Sequence, residues 1–260
     1  MTLVTDTWYV AKRELIKFFR TKVRIVVTLV QPILWLGLMG NMMGKVFDNP
    51  YVAQAMGVTN YMAFMTPGII IMTVLFGGVF GGISIVWDRR VGYLEKLLAA
   101  PIHRGAIPFG KTLAVMIQNG IQVLAIVGIA SAFGVHFETG FLGIMALLVV
   151  AMFFGAILSS ISLSLAASIK TMETLMALVN FLTMPLMFTS NALFPTEAMP
   201  SWLAAIARVN PVTYAVGPIR ELVLHGWDWS KILPGFAVIV GLAILFMLVS
   251  QMIFQRATTD

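Results

Sequence analysis

The sequence predicts an all-α membrane protein with six transmembrane helices, and three observations carry that prediction. Of the 260 residues, 59% are hydrophobic and 11% charged, against roughly 45 to 50% and about 25% in a soluble domain. Six stretches of bilayer length contain no Asp, Glu, Lys or Arg, the residues that cost at least ~2.5 kcal/mol each at the bilayer centre. The cations between those stretches fall overwhelmingly on one side. The chain has no cysteine, which excludes a disulfide scaffold and a thiolate metal site. The net charge of +6 reads as membrane anchoring rather than nucleic-acid binding.

Residues 1–24 read as an N-terminal amphipathic helix, clearest over 7–24. Trp8, Ala11, Leu15 and Phe18 take one face, and Arg13, Lys17, Arg20 and Arg24 the other, at spacings of three and four. Such a helix should lie in the headgroup layer with its cations near lipid phosphates. It also offers a face to a cytoplasmic partner. A basic start leading into an amphipathic stretch is not a cleavable signal peptide.

The spans follow at 25–44, 66–87, 112–135, 139–169, 174–192 and 232–254. An even number places both termini on one side of the membrane. Lys12, Arg13, Lys17, Arg20, Lys22, Arg24, Arg89, Arg90, Lys96, Arg104, Lys111, Lys170 and Arg256 lie on that side, against Lys45, Arg208, Arg220 and Lys231 on the other. By the positive-inside rule both termini are cytoplasmic, in a multi-pass protein of the plasma membrane. Four-residue glycine pairs, Gly40 with Gly44, Gly77 with Gly81 and Gly78 with Gly82, permit close helix packing within one chain or between two. The polar residues inside the spans are neutral, among them Gln31, Asn41, Gln118, Asn119, Gln122, Ser159, Ser160, Ser162 and Asn180. They fit helix–helix hydrogen bonds better than a proton relay.

Two connecting segments are more than turns. After the second span, residues 88–104 read as a short amphipathic helix stopped at Pro101, with Leu94, Leu97 and Leu98 on one face and Arg90, Glu95 and Lys96 supplying charge. Before the last span, residues 193–230 are too polar and proline-broken to cross. Two short helices fit there, at 201–209 and 212–224, capped by interfacial Trp202, Tyr214, Trp227 and Trp229.

The segment Gly105, Gly110, Lys111, Thr112 matches the phosphate-binding formula G-x-x-x-x-G-K-[ST]. Its context opposes that reading, because no strand precedes it, Pro108 removes an amide and Thr112 opens a span. Lys111 reads instead as an anchor at the base of the third span. His103, His136 and His225 sit in separate loops without acidic clusters, so no catalytic group and no metal site is expected.

Two segments resemble the integral membrane permeases of ABC-2 type exporters, close to the drug, lipooligosaccharide and polysaccharide export branch. One is Arg90-x-Gly92-x-x-Glu95-x-x-Leu98-x-x-Pro101. The other is Phe194-Pro195, then Pro200-x-Trp202-Leu203, then Asn210-Pro211-x-x-Tyr214 with Arg220. With the amphipathic start, the resemblance covers essentially the whole chain as one transmembrane domain, 1–260. It implies a second copy of the permease and two ABC ATPase chains that bind ATP and Mg, with no cofactor on this chain. It also implies that 88–104 is a coupling helix. Arg90, Gly92, Glu95, Lys96 and Pro101 then couple to the ATPase, with Tyr93 and Leu98 as packing contacts. Spans such as the second and fifth would line a dimer cavity. A re-entrant pair before the last span would cap it outside, with Pro195, Trp202, Asn210, Pro211, Tyr214 and Arg220 as the extracellular gate.

The function expected is export of an amphipathic or hydrophobic substrate, a drug, lipid or lipid-linked saccharide. The 18 Met and 18 Phe suit an adaptable apolar surface. The alternative is a secondary carrier or channel without an ATPase, which would need a relay or a charge-lined pore that the spans lack.

Overall fold

A computed structural model describes residues 2–40, 42, 61–169 and 171–257. Gly44, Lys45, Asn41 and Lys170, which the sequence reading used, lie outside the described residues. Among those described, every regular element is a helix.

Helix α1 is Leu3–Arg20, capped by Thr2, whose side chain accepts from the amide of Thr5. It ends at Arg20, four residues earlier than expected, with Thr21 as its C-cap, and α2 starts at Lys22. Arg24 therefore belongs to α2. Helix α2, Lys22–Leu34, continues as one π-helical turn, Trp35–Met39. Pro32 lies just before that turn and removes a helix hydrogen bond.

The second predicted span is two helices, α3 at Tyr61–Gly78 and α4 at Phe80–Arg90, broken at Val79. The hydroxyl of Ser162 donates to the Val79 carbonyl at 2.8 Å, which satisfies an acceptor at the break. Helix α5 is Tyr93–Ala99, α6 Ala106–Ala132, α7 Gly140–Ser168 and α8 Met172–Phe188. After a 3-10 turn come α9, Ser201–Val209, and α10, Pro211–Leu224, then α11, Trp229–Ala257. The short pair before the last span was thus legible to within a residue.

Among the described residues, five helical stretches are long and apolar enough to cross a membrane: Lys22–Met39, Tyr61–Arg90, Ala106–Ala132, Gly140–Ser168 and Trp229–Ala257. Helix α8 is apolar but has 17 residues.

Helix α7 is the central post, packed against α3, α4, α6, α10 and α11. One core cluster joins Ile70, Phe154, Val216 and Ile239 from α3, α7, α10 and α11. A second, at the other end, joins Ile85, Leu94, Ile107, Leu163, Leu175 and Phe254. That second cluster sets the ends of α4, α7 and α11 beside the starts of α6 and α8.

The two glycine pairs of α3 and α4 pack within the chain. A methyl on Gly78 would lie 2.5 Å from Leu158 Cβ, and one on Gly82 2.3 Å from the Ser162 carbonyl. Gly77 and Gly81 meet Asn119 and Ser159 in the same way. Closest approach of α3 and α4 to α6 and α7 therefore depends on four glycines in six positions.

Candidate functional site

The end of the bundle that holds α5 is built around a buried cluster of charges. Asp88, near the end of α4, is fully buried, and Lys111 of α6 is 1% exposed. Lys111 Nζ lies 2.6 Å from Asp88 Oδ2 and 3.2 Å from Glu14 Oε1, and donates to the Ser84 hydroxyl at 2.9 Å. From α1, Arg13 grips Asp88 with two parallel bonds of 3.0 and 3.1 Å, and Lys17 adds a third contact at 3.1 Å. Glu14 holds Arg13 at 2.9 Å and Lys17 at 3.2 Å. Every charge in the cluster has an opposite partner, the condition under which burial of ions is tolerated.

Two sequence expectations are corrected here. Arg13 and Lys17 were expected beside lipid phosphates but reach inward, because Asp88 offers a desolvated partner that lipid cannot. Lys111 was expected to be an interfacial anchor but is withdrawn into the cluster. The phosphate-loop formula also dissolves into helix. The Ala106 and Phe109 amides donate to the His103 and Gly105 carbonyls at 2.8 and 3.3 Å, so those donors are used inside the first turn of α6.

The same Arg13 guanidinium lies 3.5 Å from the centre of the Tyr93 ring, the first residue of α5. One side chain thus spans α1, α4 and α5 with a bidentate ion pair and a cation–π contact. Gly92, between α4 and α5, has φ +67, a left-handed conformation that glycine adopts without penalty. It reverses the chain so that Leu94 is buried while Arg90, Glu95, Lys96 and Pro101 stay exposed. Arg90 belongs to the end of α4 rather than to the short helix. Leu98 is half-buried and packs on the core behind α5.

Nearby, Arg89 donates to the carbonyls of Ala166, Ala167 and Ile169 at 2.8 to 3.2 Å. A cation at the C-terminus of α7 also complements its dipole. Asp6 of α1 accepts from the backbone amide of His103 at 3.1 Å and meets the His103 ring at 3.0 Å. These hydrogen bonds to His103 hold the Asp6 carboxyl below the usual carboxylate range.

The opposite end is closed by α9 and α10. Asn210 caps α10 through Oδ1, which accepts from Val212 N at 2.8 Å, while its amide donates to the Leu186 carbonyl and Thr189 hydroxyl at 2.8 and 2.9 Å. Arg220 donates to the Asn191 and Ala192 carbonyls at 2.8 and 3.3 Å and stacks 3.9 Å over Phe64 of α3. Pro195 is buried, Pro211 and Tyr214 are half-buried, and Trp202 is exposed. Among the described residues, no three of His, Asp and Glu converge in a metal site.

Sequence reasoning found the short helices α5, α9 and α10 but missed Asp6, Glu14, Ser84 and Asp88. Asp88 had one visible signal, an acid at the end of an apolar run among Arg89 and Arg90.

A family description, ABC-2 type transporter, matches residues 5–224. A chain of Cyanophora paradoxa described as the transport permease ycf38 is 32% identical, over 97% of this chain and 89% of its own length. The corresponding ycf38 chain of Porphyra purpurea is 31% identical, over 88% and 77%. A daunorubicin resistance ABC transporter permease protein of Streptomyces coeruleorubidus, DrrB1, is 25% identical, over 97% and 86%.

Proposed function

The chain belongs to the ABC-2 type transporter family, and on that premise we propose that it is the permease of an ATP-driven exporter whose ATPase is a separate chain. Arg13 carries the reading, because it fixes the exposed helix α5 to a membrane-crossing helix through Asp88 and Tyr93. A force applied to α5 from the cytoplasm would then move α4 rather than dissipate in a loop. We assign α5 as the coupling helix. Arg90, Gly92, Glu95, Lys96 and Pro101 face the ATPase, and Tyr93 and Leu98 seat the helix on the permease.

In this reading α8 is the sixth span. Its 17 residues rise about 26 Å, near the lower limit for a bilayer core, and it runs from the cluster holding Leu175 to the cap holding Asn210. Both termini are cytoplasmic in this reading, which the cation distribution supports. A second copy of the chain completes the translocation route. The cap tied by Asn210 and Arg220, with Pro195, Trp202, Pro211 and Tyr214, is the extracellular gate. The substrate class is hydrophobic or amphipathic, consistent with apolar, methionine-rich spans and with the drug-resistance relative.

The test is a mild-detergent pull-down of the tagged chain from its native membranes. The expected result is a near-stoichiometric ABC ATPase, lost when Gly92 to Leu98 is disrupted. A chain that purifies without any ATPase would overturn the proposal in favour of a carrier or channel.

A further inference from the structure

The carbonyl of Val79, at the break between α3 and α4, accepts from two donors. Its own helix supplies the Ile83 amide at 3.4 Å, and α7 supplies the Ser162 hydroxyl at 2.8 Å. The nearer donor belongs to the other helix. A side chain that enters the i to i−4 ladder lengthens the bond it competes with, and the Ile83 contact is at the long end for an amide donor. Val79 itself keeps helical dihedrals, φ −58 and ψ −31. A continuous helix across the break therefore needs the Ile83 amide to move in, not a new backbone region.

The surroundings suit a joint. Gly77, Gly78, Gly81 and Gly82 flank Val79, and glycine is the weakest helix former after proline. Gly82 lies against the carbonyl and hydroxyl of Ser162 and Gly78 against Leu158, so the backbone rests directly on α7 at this level. The two halves are fastened at their far ends. On α3, Gly68 abuts the Ala192 carbonyl and Phe64 lies 3.9 Å beneath the Arg220 guanidinium of α10. On α4, Asp88 is held by Arg13 and Lys111, and Arg89 by the carbonyls that end α7.

We propose that Val79 is the joint of the second span, and that Ser162 is a positioning residue that sets it by competing with Ile83 for one carbonyl. In the broken form described above, Ser162 donates to Val79. In a continuous form Ile83 takes that carbonyl, and the Ser162 hydroxyl turns to the Leu158 carbonyl four residues back, as Ser164 already does with Ser160 at 2.8 Å. Every donor keeps an acceptor in both forms. Their populations are therefore close enough for a modest load to exchange them. The load is the ATPase acting on α5, so the proposal rests on the exporter reading. It adds to that reading the point at which movement of the cytoplasmic cluster changes the direction of α3 and reaches the cap.

The chain has no cysteine, so Val91→Cys and Phe194→Cys place two spin labels without background. Both positions are exposed, one just past α4 and one two residues past Ala192. The reconstituted permease–ATPase complex, with labelled permease diluted into unlabelled, is measured by double electron–electron resonance with and without a non-hydrolysable ATP analogue. The wild-type distance is expected to shift on adding the analogue. Ser162→Ala removes the donor from α7, and should move the ratio of forms about fivefold towards the continuous one in both conditions, the effect of one hydrogen bond. Ile83→Pro removes the competing amide and crowds the Val79 carbonyl, and should hold the broken distance in both conditions. A merely structural role for Ser162 would not send these two variants to opposite distances. A wild-type shift in Ser162→Ala, or no shift in a wild-type complex whose bound ATPase hydrolyses ATP, would overturn the joint and leave the exporter reading intact. A wild-type chain that retains no ATPase would instead overturn the reading beneath it.

Discussion

Lys111 Nζ and Asp88 Oδ2 meet at 2.6 Å with both side chains withdrawn from solvent, which joins the base of α6 to the end of α4 by an ion pair that water does not reach. Asp88 keeps Arg13 and Lys17 when Lys111 is removed, so the loss is of buried charge-assisted hydrogen bonds and a packed stem, about 1.5 to 3 kcal/mol. Lys111→Ala should therefore lower the thermal midpoint of the purified permease sharply. It should leave ATP binding by the isolated chain no different from wild type, as measured by equilibrium dialysis. A selective loss of ATP binding would restore the phosphate-loop reading.

Glu95 is exposed on α5, so its replacement should separate stability from coupling. Glu95→Lys is expected to shift folding free energy by no more than about 0.5 kcal/mol, while substrate-stimulated ATP hydrolysis by the reconstituted complex falls severalfold. Unchanged stimulation would remove Glu95 from the coupling surface.

Close packing at the helix break gives a paired test. Gly82→Ala drives a methyl to 2.3 Å from the Ser162 carbonyl, whereas Gly128→Ala on α6 meets nothing within 4 Å. The first should cost several kcal/mol through backbone displacement. The second should be neutral or gain up to about 1 kcal/mol of helix propensity. Chemical denaturation in mixed micelles would rank the two.

Arg220 binds two carbonyls and a ring at once, which needs a planar fork. Arg220→Lys keeps the charge and loses that geometry. It should loosen the cap and raise protease nicking near residues 190–200 several-fold, with α1 and α5 still protected.

Acid should act at the other end, through Asp6. Hydrogen bonds to His103 lower the Asp6 pKa from 3.8, so the folded state favours the ionised form. Its contribution is complete above the ordinary carboxylate value and is lost as pH falls through the lowered one. Trp8 fluorescence should report α1 loosening in that acid window, and Asp6→Asn should remove the transition.

The sequence by itself determined the helical class, the approximate spans and the two short helices before α11, because charge-free runs and proline punctuation are local properties that a bilayer enforces. It also marked Gly92, Glu95 and Lys96 for a docking helix. It could not show where Arg13, Lys17 and Lys111 point, since counting cations assigns a side of the membrane and not a partner. Their acceptor, Asp88, lies 75, 71 and 23 residues away. The contact at the Val79 break and the burial of Asp6 were equally hidden, for each depends on a distant residue, Ser162 or His103. Local patterning chose the helices; only the tertiary structure decided which charges leave water together, because desolvation and pairing depend on neighbours brought close by the fold.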